Sequence, residues 1–426
     1  MNQISQRSTF KSWIVILTAA LFFLFEYINM NSFDSLNAQL RQAFHVNALE
    51  ISNLSAMYFY ANVLFLIPAG LLLDRFSTKK LILMAMAVSV IATYVFATTD
   101  SFAIAKLCRF VTGMASTFCL LSAVLLTSRW FESKTAALVM GIVVAMPMLG
   151  GTLAQQITLL SDALGSWREA LMVVASVGVV FFILIGIGVK DFPAHADKHI
   201  VLQQQRLKIN GFWRSLGQAI SNRQVWFAGL YTNFLCLPVF ILGALWGKEY
   251  LMVVHGLSAN QSDIATSLIF IGMLIGSPLN GGLSDGWRRR KMPMILGAAL
   301  TLLAMLAILY APDLSALSLS LLFFALGFFS ASQIITYALL IESSHSHLTA
   351  STESVAAVII MSSGALFQPF FGYLMQQHWS GKMAGQVAVY APSDYQHALL
   401  LLPIAFVASI VMALFIKETR CRRLFD

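Results

Sequence analysis

The sequence predicts an all-α membrane protein with twelve transmembrane helices in two pseudo-symmetric six-helix bundles. Three observations predict this fold: a very apolar composition, a series of apolar stretches each about 20 residues long, and an acidic-then-basic cluster that occurs twice. The clusters are Asp74–Lys80 and Asp285–Lys291, and their aspartates are 211 residues apart in a chain of 426 residues. The chain is therefore expected to contain two copies of one membrane unit.

The composition excludes a water-soluble globular protein. Hydrophobic residues make up 58% of the chain, charged residues only 11%, and the mean hydropathy is +0.77. Soluble domains carry roughly 25% charged residues, which this chain lacks for a water-facing surface. The formal charge of +8 is expected to reflect contact with anionic lipid. Nucleic-acid binding is not expected, because no basic face interleaved with aromatic residues occurs outside the loops.

The apolar stretches are long enough to cross the hydrocarbon core as helices, which satisfy their own backbone hydrogen bonds there. The predicted spans one to twelve are residues 13–34, 50–73, 80–98, 102–128, 135–160, 168–189, 225–247, 260–283, 292–311, 314–340, 353–376 and 396–416. The predicted domains are an N-terminal bundle (1–190), a cytoplasmic linker (191–224) and a C-terminal bundle (225–426).

The distribution of basic residues predicts the orientation. If both termini are cytoplasmic, 21 of the 27 Lys and Arg residues lie in inner segments, where such residues are retained. The apolar run that begins at Trp13 is too long for a signal-peptide core and is expected to stay as the first span. The four cysteines form no CxxC pair and are expected to be reduced packing residues.

The first charged cluster carries a family resemblance. Residues Gly70, Leu72, Asp74, Arg75 and Lys79 fit a Gly-x-Leu-x-Asp-Arg pattern after span two. With the six-plus-six arrangement, this pattern resembles the major facilitator superfamily of secondary transporters over the whole chain. Ser77 and Thr78 stand where the signature usually has Gly and Arg, and the second copy has Gly286 and Trp287 in place of Arg-Phe.

Further segments resemble the same family. Arg109 and Gly113 match an Arg-x-x-x-Gly pattern of span four, and the region from Gly141 to Gly151, with Pro147, is similar to a motif associated with exporters. Three short segments resemble bacterial metabolite carriers, including phagosomal nutrient transporters of intracellular bacteria: Tyr58–Tyr60, Leu245–Gly247 and Ile269–Gly272.

The resemblance implies a cytoplasmic gate. Asp74 would contact span eleven, whose start carries Glu353, and Asp285 would contact span five near Lys134; a carboxylate can cap a helix N-terminus in this way. The alternative is that these residues only enforce the topology. The predicted gate residues are Gly70, Asp74, Arg75, Lys79, Gly282, Asp285, Arg289 and Arg290.

Two charges within predicted spans are candidates for the mechanism. Glu26 lies about 20 Å into span one, and Arg109 lies at a similar depth in the oppositely directed span four, at 1.5 Å per residue. Intramembrane charges are costly unless they are paired or functional. We expect the two residues to face the central cavity and to bind an ionic substrate group, a proton or each other. A static ion pair is the alternative.

The resemblance also implies that spans one, four, seven and ten line the path. The candidate path residues on and beside these spans, in addition to the two charges, are Tyr27, Asn29, Asn31, Tyr58, Tyr60, Asn62, Tyr231, Asn233, Gln333 and Tyr337. Mutual hydrogen bonding between helices is the alternative role for each. Lys248 and Glu249 are expected to be solvated anchors at the outer end of span seven.

No enzymatic site is expected. Gly282–Gly286 spells Gly-x-Ser-x-Gly, but it follows a membrane span instead of a strand. His345 and His347 have no nearby Cys or carboxylate pair that would complete a metal site, so no metal is expected. No Walker-type loop is present, so ATP-driven pumping is not expected, and no cofactor is predicted.

The expected function is a secondary transporter of the bacterial inner membrane. It would move a small polar organic solute, such as an amino acid, nucleoside or organic acid, by alternating access, with protons as coupling ions. The expected partners are this solute, protons and lipid, and the protein is expected to be a monomer. The alternatives are an exporter of drugs or siderophore-like compounds and a non-transporting membrane sensor.

Overall fold

The computed structural model describes residues 10–131, 133–193, 212–344, 349–385 and 387–422. Within these ranges, the structure describes the backbone but not the side chains of residues 74, 133–138, 212–215 and 349–350. The side chains of two residues in the predicted gate contacts, Asp74 and Lys134, are therefore not covered. Residues His345 and His347 and most of the predicted linker are not covered either.

Twelve helices or helix series in the described part of the chain are long and apolar enough to cross a membrane. This confirms the predicted fold class. In order, their helices are Phe10–Ser35, Ala48–Arg75, Thr78–Thr98, Phe102–Ser116 with Phe118–Trp130, Ser133–Ala154 with Ile157–Leu164, Trp167–Gly188, Arg223–Leu235 with Gly247–His255, Ala259–Trp287, Lys291–Tyr310, Ala316–Ser330 with Ile335–Glu342, Thr349–Gln377, and Pro392–Leu399 with Leu401–Phe415.

Short elements connect or interrupt these spans. A π-helical segment, Pro238–Trp246, joins the two α-helical parts of span seven, and a 3₁₀ turn, Ala331–Ile334, joins those of span ten. Helices Asn37–Phe44 and Phe212–Ser221 lie outside the spans. Strands Met383–Ala384 and Val387–Ala388 pair antiparallel between spans eleven and twelve.

The span boundaries agree with the sequence prediction to within four residues, except at the end of span seven. That span continues to His255, whereas the prediction ended it at residue 247. The sequence shows Lys248 and Glu249 interrupting an apolar run. Both side chains are buried with partners in the fold, so the helix continues through them.

The helix starts show the duplication directly. Span two begins with a capping box in which Asn47 and Glu50 each bond the other's backbone N–H. Span eight begins with a capping box of Ser258 and Gln261, each 211 residues further along. Each box satisfies backbone donors that a helix start otherwise leaves unpaired.

The same duplication governs packing inside each half, residues 10–193 and 212–422. A Cβ on Gly113 in span four would lie 2.0 Å from the backbone oxygen of Tyr58 in span two. A Cβ on Gly327 in span ten would lie 1.9 Å from that of Ile269 in span eight. Both glycines therefore allow backbone-to-backbone contact between spans. Between the halves, span two packs on span eleven and span five packs on span eight.

Candidate functional site

Arg109 lies inside the N-terminal half, between spans one, two and four. Its guanidinium carbon lies 4.0 Å from the ring centre of Phe33 and 5.1 Å from that of Tyr58, and Nη1 donates to the Asn29 carbonyl at 3.0 Å. The residue is only 3% exposed, yet Nε and Nη2 have no partner. The close approach at Gly113, one turn further along span four, brings Arg109 over the Tyr58 ring. The site thus holds a buried cation with spare donors.

Glu26 is fully buried and contacts span three. Its Oε1 accepts a short hydrogen bond from Ser89, and its Oε2 has no partner. One turn further along span one, Asn29 Oδ1 accepts from Thr93 at 3.0 Å. Within the described residues, no ion pair joins Glu26 and Arg109. The two charges lie in the interior of one half and are not in ion-pair contact there.

A small cavity lies beside Arg109. Its volume is about 20 Å³, which is room for about one water molecule. Its polar lining comes from spans one, three and four: Asn29, Ser32, Thr93, Arg109 and Thr112. The unpaired Arg109 donors belong to a residue that lines this space, so in this state the space can hold a water molecule beside them.

Two other predicted path residues of the N-terminal half each donate a hydrogen bond close by, while the buried Oδ1 atom of each has no hydrogen-bond partner. Asn31 donates to the Tyr27 carbonyl at 2.8 Å, and Asn62 donates to Ser116 Oγ at 2.8 Å. Tyr27 and Tyr60 are half-buried, so their surfaces stay partly accessible.

The path residues of the C-terminal half form a separate group. The Tyr231 hydroxyl donates to the Met294 carbonyl at 2.9 Å, and the Asn233 amide donates to the Ile359 carbonyl at 2.5 Å. Gln333 accepts from the Cys236 thiol, and Tyr337 is 36% exposed. Most of these groups are thus engaged in contacts between helices of their own half.

The described gate residues also make contacts within their own halves. Lys79 donates to the Gly186 carbonyl at 2.6 Å, while Arg75 is exposed. Arg290 pairs with Asp285 at 2.6 Å and with Glu342 at 2.6 Å, and its side chain is 7% exposed. The remaining predicted gate residues differ in exposure: Gly70 is half-buried, whereas Gly282 and Arg289 are exposed.

A network that the sequence analysis missed joins the two halves at one end of the molecule. We call this end, where span one ends at Ser35 and span two begins at Ala48, the distal end; the opposite end is the proximal end. Here Arg41 pairs with Glu249 at 2.8 Å, and Lys248 pairs with Asp263 at 3.0 Å. The expectation that Lys248 and Glu249 are solvated anchors is wrong, because they are only 6% and 8% exposed.

Backbone groups and neutral side chains extend this network. The Lys248 ammonium also donates to Thr158 and Ser35, and the Lys248 backbone N–H donates to Asp34. Gln155 donates to the Gly243 carbonyl at 2.6 Å and accepts from Thr266 at 3.0 Å. We call this set of cross-half contacts the distal seal; its members are Asp34, Ser35, Asn37, Arg41, Ser52, Gln155, Thr158, Gly243, Leu245, Trp246, Lys248, Glu249, Asp263 and Thr266.

Charged residues near predicted span ends were the only sequence signal for the distal seal. Asp34, Arg41 and Asp263 each lie within or beside an apolar stretch. Nothing in the sequence, however, pairs Asp34 with Lys248 or Arg41 with Glu249 across more than 200 residues. The pairing depends on how the two halves meet.

Comparison with known proteins identifies the family. The family model described as "Major Facilitator Superfamily" matches residues 16–367. The chain belongs to this superfamily. It is therefore a multi-pass membrane protein of this superfamily.

Two curated relatives are similar over part of their length. One, "Probable sulfoacetate transporter SauU" of Cupriavidus necator, is 22% identical over 64% of each chain. The other, "Putative transporter AraJ" of Escherichia coli, is 24% identical over 55% of each chain. The aligned regions thus span less than two thirds of these relatives.

Solved structures share the fold over nearly the full chain. Two of these structures are of a bacterial homologue of the human lysosomal transporter Spinster, both in an inward-facing conformation. The unoccupied form aligns with a TM-score of 0.72 and the occupied form with 0.71. Identity is 17% and 16%, with 96% of each chain covered. This superfamily member therefore has the same fold as those proteins.

Proposed function

We propose that this chain is a proton-coupled secondary transporter of the bacterial inner membrane that moves a small polar organic solute by alternating access. The observation that carries the proposal is the distal seal. It holds the halves together at one end through hydrogen bonds and the Arg41–Glu249 ion pair, which cross from one half to the other. Contacts of this kind can break and reform as two bundles rock around a central site.

The proposed orientation places the proximal end in the cytoplasm. It follows from the 21 basic residues assigned to inner segments and puts both termini inside. The distal seal then closes the outer side in the state described here. The proposed bundles are residues 1–190 and 225–426, joined by the linker 191–224.

Within the proposed class of solutes, the site favours an organic acid. The buried Arg109 side chain has two donor atoms without partners and lines a small polar cavity. A carboxylate or sulfonate supplies the acceptors that such a group lacks. The relative named for sulfoacetate transport agrees with an anionic solute.

Uptake into proteoliposomes tests the proposal. Labelled organic acids, sulfonates, amino acids and nucleosides are offered with the outer pH below the inner pH. We expect an organic acid to accumulate, and we expect collapse of the pH gradient to abolish accumulation. Export of solute in the same system would favour the exporter, and binding without movement would favour the sensor.

Variants of the two buried charges test the site. We expect Arg109→Gln to reduce uptake at least about tenfold, which corresponds to loss of one charge-assisted hydrogen bond. We expect Glu26→Gln to change the pH dependence of uptake. Arg168→Gln is the matched control, because Arg168 pairs with the exposed Asp100 on the surface of the same half. If both interior variants transport with wild-type rate and pH profile, the site assignment is wrong.

A further inference from the structure

Asp34 is the buried carboxylate of the distal seal that has no cationic partner. It is 0% exposed, and both carboxylate oxygens accept from one donor, the backbone N–H of Lys248, at 3.1 and 3.3 Å. That donor belongs to the other half of the molecule. Among the described residues, no Lys, Arg or His side chain pairs with Asp34.

The surrounding charges leave the Asp34 carboxylate uncompensated. The Lys248 ammonium pairs with Asp263 of span eight, and Glu249 of span seven pairs with Arg41 of helix Asn37–Phe44. Asp162 near the end of span five, which adds to the negative charge around Asp263, is exposed. Around the single ammonium of Lys248 there are thus two buried carboxyl groups, Asp34 and Asp263.

A second observation points to a missing proton. Asp263 is 0% exposed and its Oδ1 has no hydrogen-bond partner. The cluster therefore contains a buried acceptor without a donor beside a buried carboxylate without a cation. A buried, unpaired charge costs several kcal/mol of free energy. Two carboxyl groups close together also disfavour each other's ionised form. One added proton removes the excess charge.

We propose that Asp34 is a proton-binding site of the closed distal end. Closure places the Lys248 amide over the carboxyl group, and an O–H bond forms on Asp34 with a proton taken from water. Opening separates Asp34 from Lys248, admits water, and returns the proton to the solvent. The site lies between the halves and is distinct from the Glu26 and Arg109 site inside the N-terminal half.

The consequence is a pH-dependent distal seal. A proton that binds only the closed state raises the ratio of closed to open molecules by up to about tenfold for each unit that the pH falls. This inference rests on the alternating access of the proposed function, because it requires the distal end to open.

Electron paramagnetic resonance distance measurements test the proposal. Spin labels are placed at Ala38→Cys and Asn260→Cys, two exposed distal positions in opposite halves, in a full-length chain whose four native cysteines are replaced by serine. Distance distributions are recorded in lipid nanodiscs between pH 5 and pH 8. We expect the short-distance, closed population to grow as the pH falls.

Three variants separate the outcomes. Asp34→Asn mimics the protonated carboxyl group and is expected to stay closed at every pH. Asp263→Asn removes the ion pair of Lys248 and is expected to weaken closure while keeping a pH dependence. Asp100→Asn, an exposed position outside the distal seal, is the matched control and is expected to behave as the parent.

If Asp34→Asn fails to fold, the pH series on the spin-labelled parent protein still tests the proposal. A closed population that does not change with pH, or an Asp34→Asn protein with the parent's pH dependence, would overturn the proton site. A distal end that never opens, at any pH or with any solute, would instead contradict alternating access itself.

Discussion

At the scale of single residues, the two charged side chains of the candidate site both lie in the N-terminal half. The positions about 211 to 214 residues after Glu26 and Arg109 are Leu237 and Phe323, and both are fully buried. The glycine that admits Arg109 to the interior has a counterpart, Gly327, whose neighbourhood is apolar. Duplication thus preserved the packing, while Glu26 and Arg109 have apolar residues, not charges, at the equivalent positions of the C-terminal half.

The glycine contact between spans two and four gives a stability prediction. Gly113→Ala places a Cβ against the Tyr58 backbone oxygen, so the two spans must separate. We expect the free energy of unfolding to fall by about 1–3 kcal/mol, as for other overpacked cores. Gly141→Ala is the control, since a Cβ there meets nothing within 4 Å. Unfolding by SDS in mixed micelles measures both; equal stability of the two variants would contradict the packing argument.

At the scale of secondary-structure elements, the π-helical segment of span seven positions the distal seal. The carbonyl groups of a π-helix are less regularly hydrogen-bonded within the helix than those of an α-helix. Such segments often occur at functional sites. Here the Gly243 carbonyl accepts from Gln155 and the Leu245 carbonyl accepts from Asn37, both in the other half. The irregular element therefore provides the acceptors by which the halves contact each other.

The buried arginine at the start of span nine gives a second prediction. Burial lowers the pKa of Arg290, but the hydrogen bonds that Arg290 donates to Glu342 and Asp285 outweigh it and the pKa is raised. Arg290→Met would leave the buried Glu342 without its cation, and we expect a loss of about 3–5 kcal/mol of stability. Arg289→Met, at an exposed neighbouring position, is expected to change little. Thermal unfolding in detergent compares them, and a mild Arg290→Met phenotype would contradict the ion-pair argument.

The segment after span twelve caps span nine and gives a pH prediction. Glu418 accepts from the backbone N–H groups of Arg290 and Lys291 at 2.8 and 3.0 Å. Partial burial raises the pKa of Glu418, but these backbone donors outweigh it and the pKa lies below its usual 4.5. A lowered pKa contributes stability that is present above the usual value and is lost as the pH falls through the folded-state pKa.

We therefore expect Glu418→Gln to be less stable than the parent at neutral pH and equally stable once the pH is well below 4.5. Melting temperatures between pH 3 and pH 8 measure this difference. A difference between the two proteins that stays constant over the whole range would contradict the capping role.

At the scale of the whole molecule, the two halves meet in a pseudo-two-fold arrangement. Span two of one half packs on span eleven of the other, and span five packs on span eight. Polar contacts across this interface gather at the distal end, where Arg41, Lys248 and Gln155 each bond residues of the opposite half. We therefore expect the distal seal to limit how easily the halves separate there.

Weakening the seal gives a prediction about conformation. Glu249→Gln removes the charge that compensates the buried Arg41, and we expect the distal-open population to rise at least about tenfold because an unpaired buried charge costs more than 1.4 kcal/mol. The Ala38 and Asn260 spin-label pair measures it, with Asp100→Asn as control. An unchanged distance distribution would show that Arg41 and Glu249 do not hold the halves together.

The sequence by itself determined the membrane fold, the twelve spans and the family. Hydrophobicity and span length are local properties of the chain, and the thickness and polarity of the bilayer set the values they must have. The gate motif and the path residues remain predictions, and the orientation is carried by the basic residues alone. The tertiary structure decided that span seven continues through Lys248, that Glu26 bonds Ser89, and that Asp34 and Arg41 face the opposite half. These outcomes depend on contacts between residues far apart in the chain, and a charged residue in an apolar stretch does not reveal which distant partner will satisfy it.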